Sequence, residues 1–85
     1  MKQFTYIIQD KLGIHARPAG LIVKLAQSCT SDIRISLKDK TVNAKTIFAV
    51  MNLNAKYHDP LIFSIEGENE QEDYEKAKAF CEKNI

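Results

Sequence analysis

The stretch LGIHARPAG, Leu12 to Gly20, decides how the rest of the chain is read. Before it, Lys2–Ile8 alternates, with Phe4, Tyr6 and Ile8 on one face, the period-two pattern of a half-buried strand. After it, Ala19, Ile22, Val23, Ala26 and Cys29 recur at three- and four-residue spacing, the stripe of a helix that buries one side. The spacing predicts a helix over Pro18–Ser28. Pro18 suits its first turn, where a missing N–H has no intrahelical acceptor to lose. The stretch is therefore a strand-to-helix switch, and with a helix starting near Ala16, His15 is its N-cap.

That position has chemical consequences. The first N–H groups of a helix have no intrahelical acceptor, and the macrodipole makes that end electropositive. Anions bind there readily. Arg17 adds a charged fork whose geometry matches phosphate oxygens. A positive helix end favours a neutral imidazole, whose ring nitrogen is nucleophilic. A phosphorylated ring would then sit beside free N–H groups and a guanidinium. Gly13 leaves the ring accessible. The bland alternative is a cap or a solvated histidine, and His58, with no supporting neighbours, reads that way.

Downstream, Asp32–Leu37 alternates with Ile33, Ile35 and Leu37 inward. Lys38-Asp39-Lys40 turns the chain into a second strand, Thr41–Ala44. Ile47–Leu53 is apolar almost throughout and too short for an independent helix, but it suits one docked on the body. Thr46 is its expected N-cap and Asn54 its left-handed C-terminal residue. Pro60–Glu66 is a fourth strand with Leu61, Phe63 and Ile65 on one face. Asn69 with Glu72 has capping-box spacing and opens a helix whose stripe is Tyr74, Ala77, Cys81 and Ile85. The order β-α-β-β-α-β-α predicts an α+β two-layer sandwich.

Composition narrows the class. With 85 residues, 45% hydrophobic and 27% charged, the chain is expected to form one globular domain, 1–85. No apolar run approaches the ~20 residues of a bilayer span. No basic-then-apolar leader opens the sequence, so a cytoplasmic protein without membrane insertion is expected. Cys29 and Cys81 read as reduced, packed thiols. No CxxC or HExxH spacing suggests a metal, and no cofactor is expected. Residues 1–65 hold nine Lys/Arg against four Asp/Glu, and residues 66–85 hold three against seven. That mildly basic body suits an acidic partner or a phosphate and is too dilute for a nucleic-acid surface.

Gly13-Ile14-His15-Ala16-Arg17-Pro18-Ala19 resembles the active-site signature of HPr, the histidine-containing phosphocarrier of the bacterial phosphoenolpyruvate:sugar phosphotransferase system. Length, element order and the block Lys45–Met51 extend the resemblance over nearly the whole chain. The resemblance implies an open-faced sandwich, a four-stranded antiparallel sheet with three helices on one face. It implies that His15 accepts a phosphoryl group at Nδ1 from phospho-Enzyme I and passes it to sugar-specific EIIA domains. Arg17 would assist, with Ala16 and Pro18 forming the phosphate-supporting helix start. Ile47, Phe48 and Met51, with Gly20 and Lys24, would be the docking surface of a monomeric shuttle that is a substrate of enzymes and not one itself. Val50 and Leu53 read as core.

Two departures stand out against that pattern. HPr proteins of low-GC Gram-positive bacteria carry a regulatory serine before the short helix, the target of HPr kinase, and this chain has Thr46 there. Thr46 is therefore read first as a cap, and second as a candidate phosphosite through which a regulatory HPr-like module would act on a catabolite regulator. Asn54 replaces a glycine common in the family, which a left-handed position tolerates. A hydrolytic enzyme is disfavoured, because no acidic partner for His15 is evident nearby in sequence.

Overall fold

The computed structural model describes residues 1–85. The alternating segments form β1 (Lys2–Ile7), β2 (Asp32–Leu37), β3 (Lys40–Asn43) and β4 (Pro60–Glu66). The striped segments form α1 (Ala16–Ser28), α2 (Ile47–Met51) and α3 (Glu70–Asn84). The four strands make one antiparallel sheet in the order β1-β4-β2-β3. This is the expected α+β open sheet with three helices.

Alternation explains the layering. Ile33, Ile35 and Leu37 of β2 and Leu61, Phe63 and Ile65 of β4 are buried against Ala19, Ile22, Val23 and Ala26 of α1 and Ala77 and Cys81 of α3, all in one cluster. Burying one such large side chain contributes about 1.5–3 kcal/mol. Phe4 of the edge strand stacks on Phe63 at 4.9 Å and meets Tyr74 edge-on at 5.5 Å, tying β1 to both β4 and α3. Residues of the opposite parity, including Gln3, Thr5, Asp32, Arg34, Thr41 and Asn43, are exposed.

Several boundaries and caps differ from the sequence reading. β3 lies one residue earlier than Thr41–Ala44, β1 stops at Ile7, α1 begins at Ala16 and α2 ends at Met51. Cys29 is buried as expected but is the extended residue that ends α1. Asn69 precedes α3 without forming a capping box. Its side chain donates instead to Thr30 Oγ1 at 3.0 Å, bridging two loops. Thr46 occupies the N-cap position of α2 but makes no side-chain cap bond. The chain enters α2 from a turn held by Asn43, whose Oδ1 accepts Lys45 N–H at 2.9 Å. Asn54 is left-handed as expected, with φ +53°.

Both cysteines are free and buried. Burial, with Glu82 adding, pushes the Cys81 thiol up to about 12, so it remains a neutral packing group.

A feature absent from the sequence reading is Asp73, 3% exposed on the first turn of α3. Burial by itself would raise its carboxyl, yet it is held below the usual range by Ser31 and Cys29, with Lys76 adding. Ser31 N–H donates to Oδ2 at 3.1 Å, which fastens the α1–β2 loop to α3; Ser31 Oγ lies nearby but makes no bond of ordinary geometry. A carboxyl lowered in the folded state stabilises the protein above its unfolded value of about 3.9, and that stability is lost as pH falls through the folded value. Asp73→Asn should therefore flatten the acid limb of the stability curve below about pH 4, read by urea denaturation against pH. An unchanged limb would show that Asp73 is not coupled to folding.

Candidate functional site

The site is built by the loop between β1 and α1. Past the end of β1, Ile8 N–H donates to Asp59 O at 3.1 Å and His58 N–H to Ile8 O at 2.9 Å. Gln9 and Asp10 N–H both donate to the backbone oxygen of Ile85, at 2.7 and 2.9 Å. The loop then closes on itself. Gly13 N–H donates to Asp10 O at 2.9 Å, and Leu12 N–H to Asp10 Oδ1 at 2.9 Å. Gly13 has φ +70°, and a Cβ there would lie 2.5 Å from Ala55 O. Glycine is required twice over, by conformation and by space. Ile14 N–H donates to the same Ala55 O at 2.9 Å, and its buried side chain anchors the loop.

That route delivers His15 to the N-cap of α1, as expected, in extended conformation with φ −93° and ψ −170°. Its carbonyl accepts Ala19 N–H at 3.0 Å, while its ring makes no cap bond. The N–H groups of Ala16 and Arg17 donate to no protein atom, and Pro18 has none to donate. Unsatisfied donors and an electropositive helix end thus surround an imidazole whose side chain is 37% exposed. Arg17 is exposed and forms none of the ion pairs of the chain.

Sequence proximity did not disclose the acidic neighbour of His15. Asp10 Oδ2 lies 3.7 Å from Nε2, an acidic partner that was not evident in the residues around His15. Asp10 is five positions upstream, outside the signature, and only the tight turn folds it back. Leu12, 75% exposed beside Gly13, was missed for a different reason: an apolar residue in a loop carries no periodicity.

The candidate docking residues gather on α2 and the facing side of α1. Phe48 is 76% exposed, and Ile47 and Met51 are also exposed. Gly20 is half-buried beneath Ile47, whose Cδ1 would lie 3.9 Å from a Cβ at that position. Lys24 is exposed on α1. Val50 and Leu53 are buried, as read from the sequence.

Chemistry and concavity do not coincide. The cavity, about 340 Å³, is lined by residues that include Lys38, Asp39, Lys40, Lys56 and Asp59, and by neither His15 nor Arg17. No group of three His, Cys, Asp or Glu side chains is placed to hold a metal ion. No helix is long and apolar enough to cross a membrane. The His15 ring therefore stands at the surface and outside that cavity.

Comparison with known proteins bears on this geometry. A family model described as the PTS HPr component phosphorylation site matches residues 2–83. The phosphocarrier protein HPr of Mycoplasma genitalium is 33% identical over 85 residues, 99% of this chain and 97% of the relative. The HPr-like protein Crh of Bacillus subtilis is 37% identical over 85 residues, covering both chains completely. A crystal structure of Crh, described as a dimer with a swapping domain, superposes with TM-score 0.77 at 35% identity, covering 100% of this chain and 98% of that one. A crystal structure of HPr from Thermoanaerobacter tengcongensis superposes with TM-score 0.92 at 36% identity, covering 99% of this chain and 94% of that one.

The dependence of the site on Gly13 is measurable. Gly13→Ala should cost about 1–3 kcal/mol in urea denaturation, because strained φ and a backbone clash act together. Parent-like stability would mean that the loop relaxes without loss.

Proposed function

Because the chain belongs to the HPr family of phosphocarrier proteins, which are not catalytic enzymes, we propose that it carries a phosphoryl group on His15. Phospho-Enzyme I is the donor and sugar-specific EIIA domains are the acceptors, in the cytoplasm, with the carrier acting as a monomer. The observation that carries this reading is a partly exposed imidazole at the start of α1 beside N–H groups that have no protein acceptor.

The chemistry follows from that placement. Nε2 is the nitrogen turned to Asp10, so Nδ1 is the one left for the phosphoryl group. Its lone pair attacks phosphorus, an N–P bond forms, and the bond to the donor breaks. The phosphoryl oxygens are received by the N–H groups of Ala16 and Arg17 and by the Arg17 guanidinium. Pro18 sets the first turn without competing for them. The reverse sequence, with a different partner, hands the group on.

The apolar surface of Ile47, Phe48 and Met51, with Gly20 and Lys24, serves as the shared docking face. Leu12 extends it on the other side of the signature. A small apolar patch around a reactive group suits partners that bind and leave quickly.

A second reading rests on Thr46. It is exposed and makes no cap bond, so its hydroxyl is free for modification. A phosphate there would lie at the helix start, in the middle of the docking face, where added charge changes which partner binds. HPr kinase would add it and a catabolite regulator would read it, a role favoured by the likeness to Crh.

Incubation with phosphoenolpyruvate and Enzyme I should give an acid-labile, base-stable phosphoprotein, and His15→Ala should give none. Labelling of His15→Ala to the parent level would refute the assignment. Phe48→Ala should weaken Enzyme I binding by roughly tenfold, the loss typical of an aromatic anchor, in calorimetric titration. Equal affinity would remove α2 from the docking face. A mass shift of one phosphate with HPr kinase and ATP, abolished in Thr46→Val, tests the second reading.

A further inference from the structure

We infer that Asp10 is a positioning residue for His15, a role that rests on the phosphocarrier reading above. The Asp10 backbone is held by two bonds and its carboxylate by one. Asp10 N–H donates to Ile85 O, Asp10 O accepts Gly13 N–H, and Oδ1 accepts Leu12 N–H at 2.9 Å. One oxygen, Oδ2, is left over, and it faces His15 Nε2 at 3.7 Å. The backbone bonds fix the residue against the end of α3 and the turn, and the Leu12 N–H bond orients the carboxylate, none of them through the ring it faces.

At 3.7 Å the two groups act on each other by charge, or through one bridging water, more than by a direct hydrogen bond. A carboxylate beside Nε2 favours the tautomer with its proton there. Nδ1 then carries the lone pair that attacks phosphorus. During transfer Nε2 keeps its proton, the N–P bond forms at Nδ1, and the bond to the leaving group breaks with its electron pair. The ring becomes positively charged as the phosphoryl group arrives, and that charge develops next to Asp10. Asp10 thus works twice through the same atom: it selects the reactive tautomer before transfer and stabilises the cationic ring afterwards. It touches neither phosphorus nor its oxygens.

The role also assigns the turn a purpose. Glycine at 13 lets the chain double back tightly enough for a side chain five residues upstream to reach the ring. A longer or looser turn would leave Asp10 in solvent.

Asp10→Asn tests this, because its amide oxygen still accepts Leu12 N–H while the charge is gone. Asp10→Ser, which also offers that acceptor, is the second variant. In 15N-histidine-labelled protein with a neutral ring, the nitrogen shifts of His15 report the tautomer ratio. The Nδ1–H form should rise roughly two- to fivefold in both variants, the scale of a half-exposed charge contact. Phosphorylation of His15 by phosphoramidate, which needs no protein partner, should slow by a similar factor. An unchanged tautomer ratio overturns the role even if the rate falls, since the fall would then come from the loop. The tautomer is read without phosphorylation, so the two readings fail separately. A parent His15 that phosphoramidate and phospho-Enzyme I both leave unmodified overturns the carrier and this role with it.

Discussion

The carbonyl of Ala55 is the point on which the site depends. It accepts Ile14 N–H at 2.9 Å and stands where a side chain at position 13 would begin. That one oxygen joins the loop before α1 to the loop before β4, and it does so at a distance only glycine allows. Around it, Ile8 pairs with His58 and Asp59, and Gln9 and Asp10 meet Ile85. The loop carrying His15 is therefore fixed from three directions by backbone bonds, each of which would cost free energy if buried and left unmade. A group placed so firmly needs no enclosing pocket to be held in orientation.

Openness and firmness together describe the proposed chemistry. The start of α1 has unspent donors and a partly exposed histidine, while apolar side chains on α2 stand outward. The concave surface lies elsewhere, in a half-open cavity at the β2–β3 turn lined partly by lysines.

Much of the fold was legible because its layers are strictly patterned. The parity of Ile33, Ile35, Leu37 and of Leu61, Phe63, Ile65 assigns the inner face of the sheet, and Ala19, Ile22, Val23 and Ala26 assign the buried side of α1. Each is a period imposed by backbone geometry. Caps were less legible. Thr46 and Asn69 stand at the positions that their residue types favour, yet neither side chain makes the expected cap bond; Asn43 instead holds the turn before α2, and Asn69 reaches across to Thr30. Asp73 was hidden for a similar reason. An acidic residue in a first helical turn reads as a solvated complement to the dipole, and only packing against Ser31 buries it.

The sequence by itself determined the strand-to-helix switch at LGIHARPAG, the imidazole and guanidinium at its mouth, and the apolar run that becomes α2. These are local matters, set by periodicity, by the missing N–H of Pro18 and by the conformational freedom of Gly13. Tertiary structure alone decided which groups meet across the chain: Asp10 with the His15 ring, Ala55 against Gly13, and Ser31 with Asp73, with Leu12 left outside the core. The reason is physical. A contact between residues far apart, or across a reversed turn, depends on how whole elements pack, and no spacing rule along the chain carries that information.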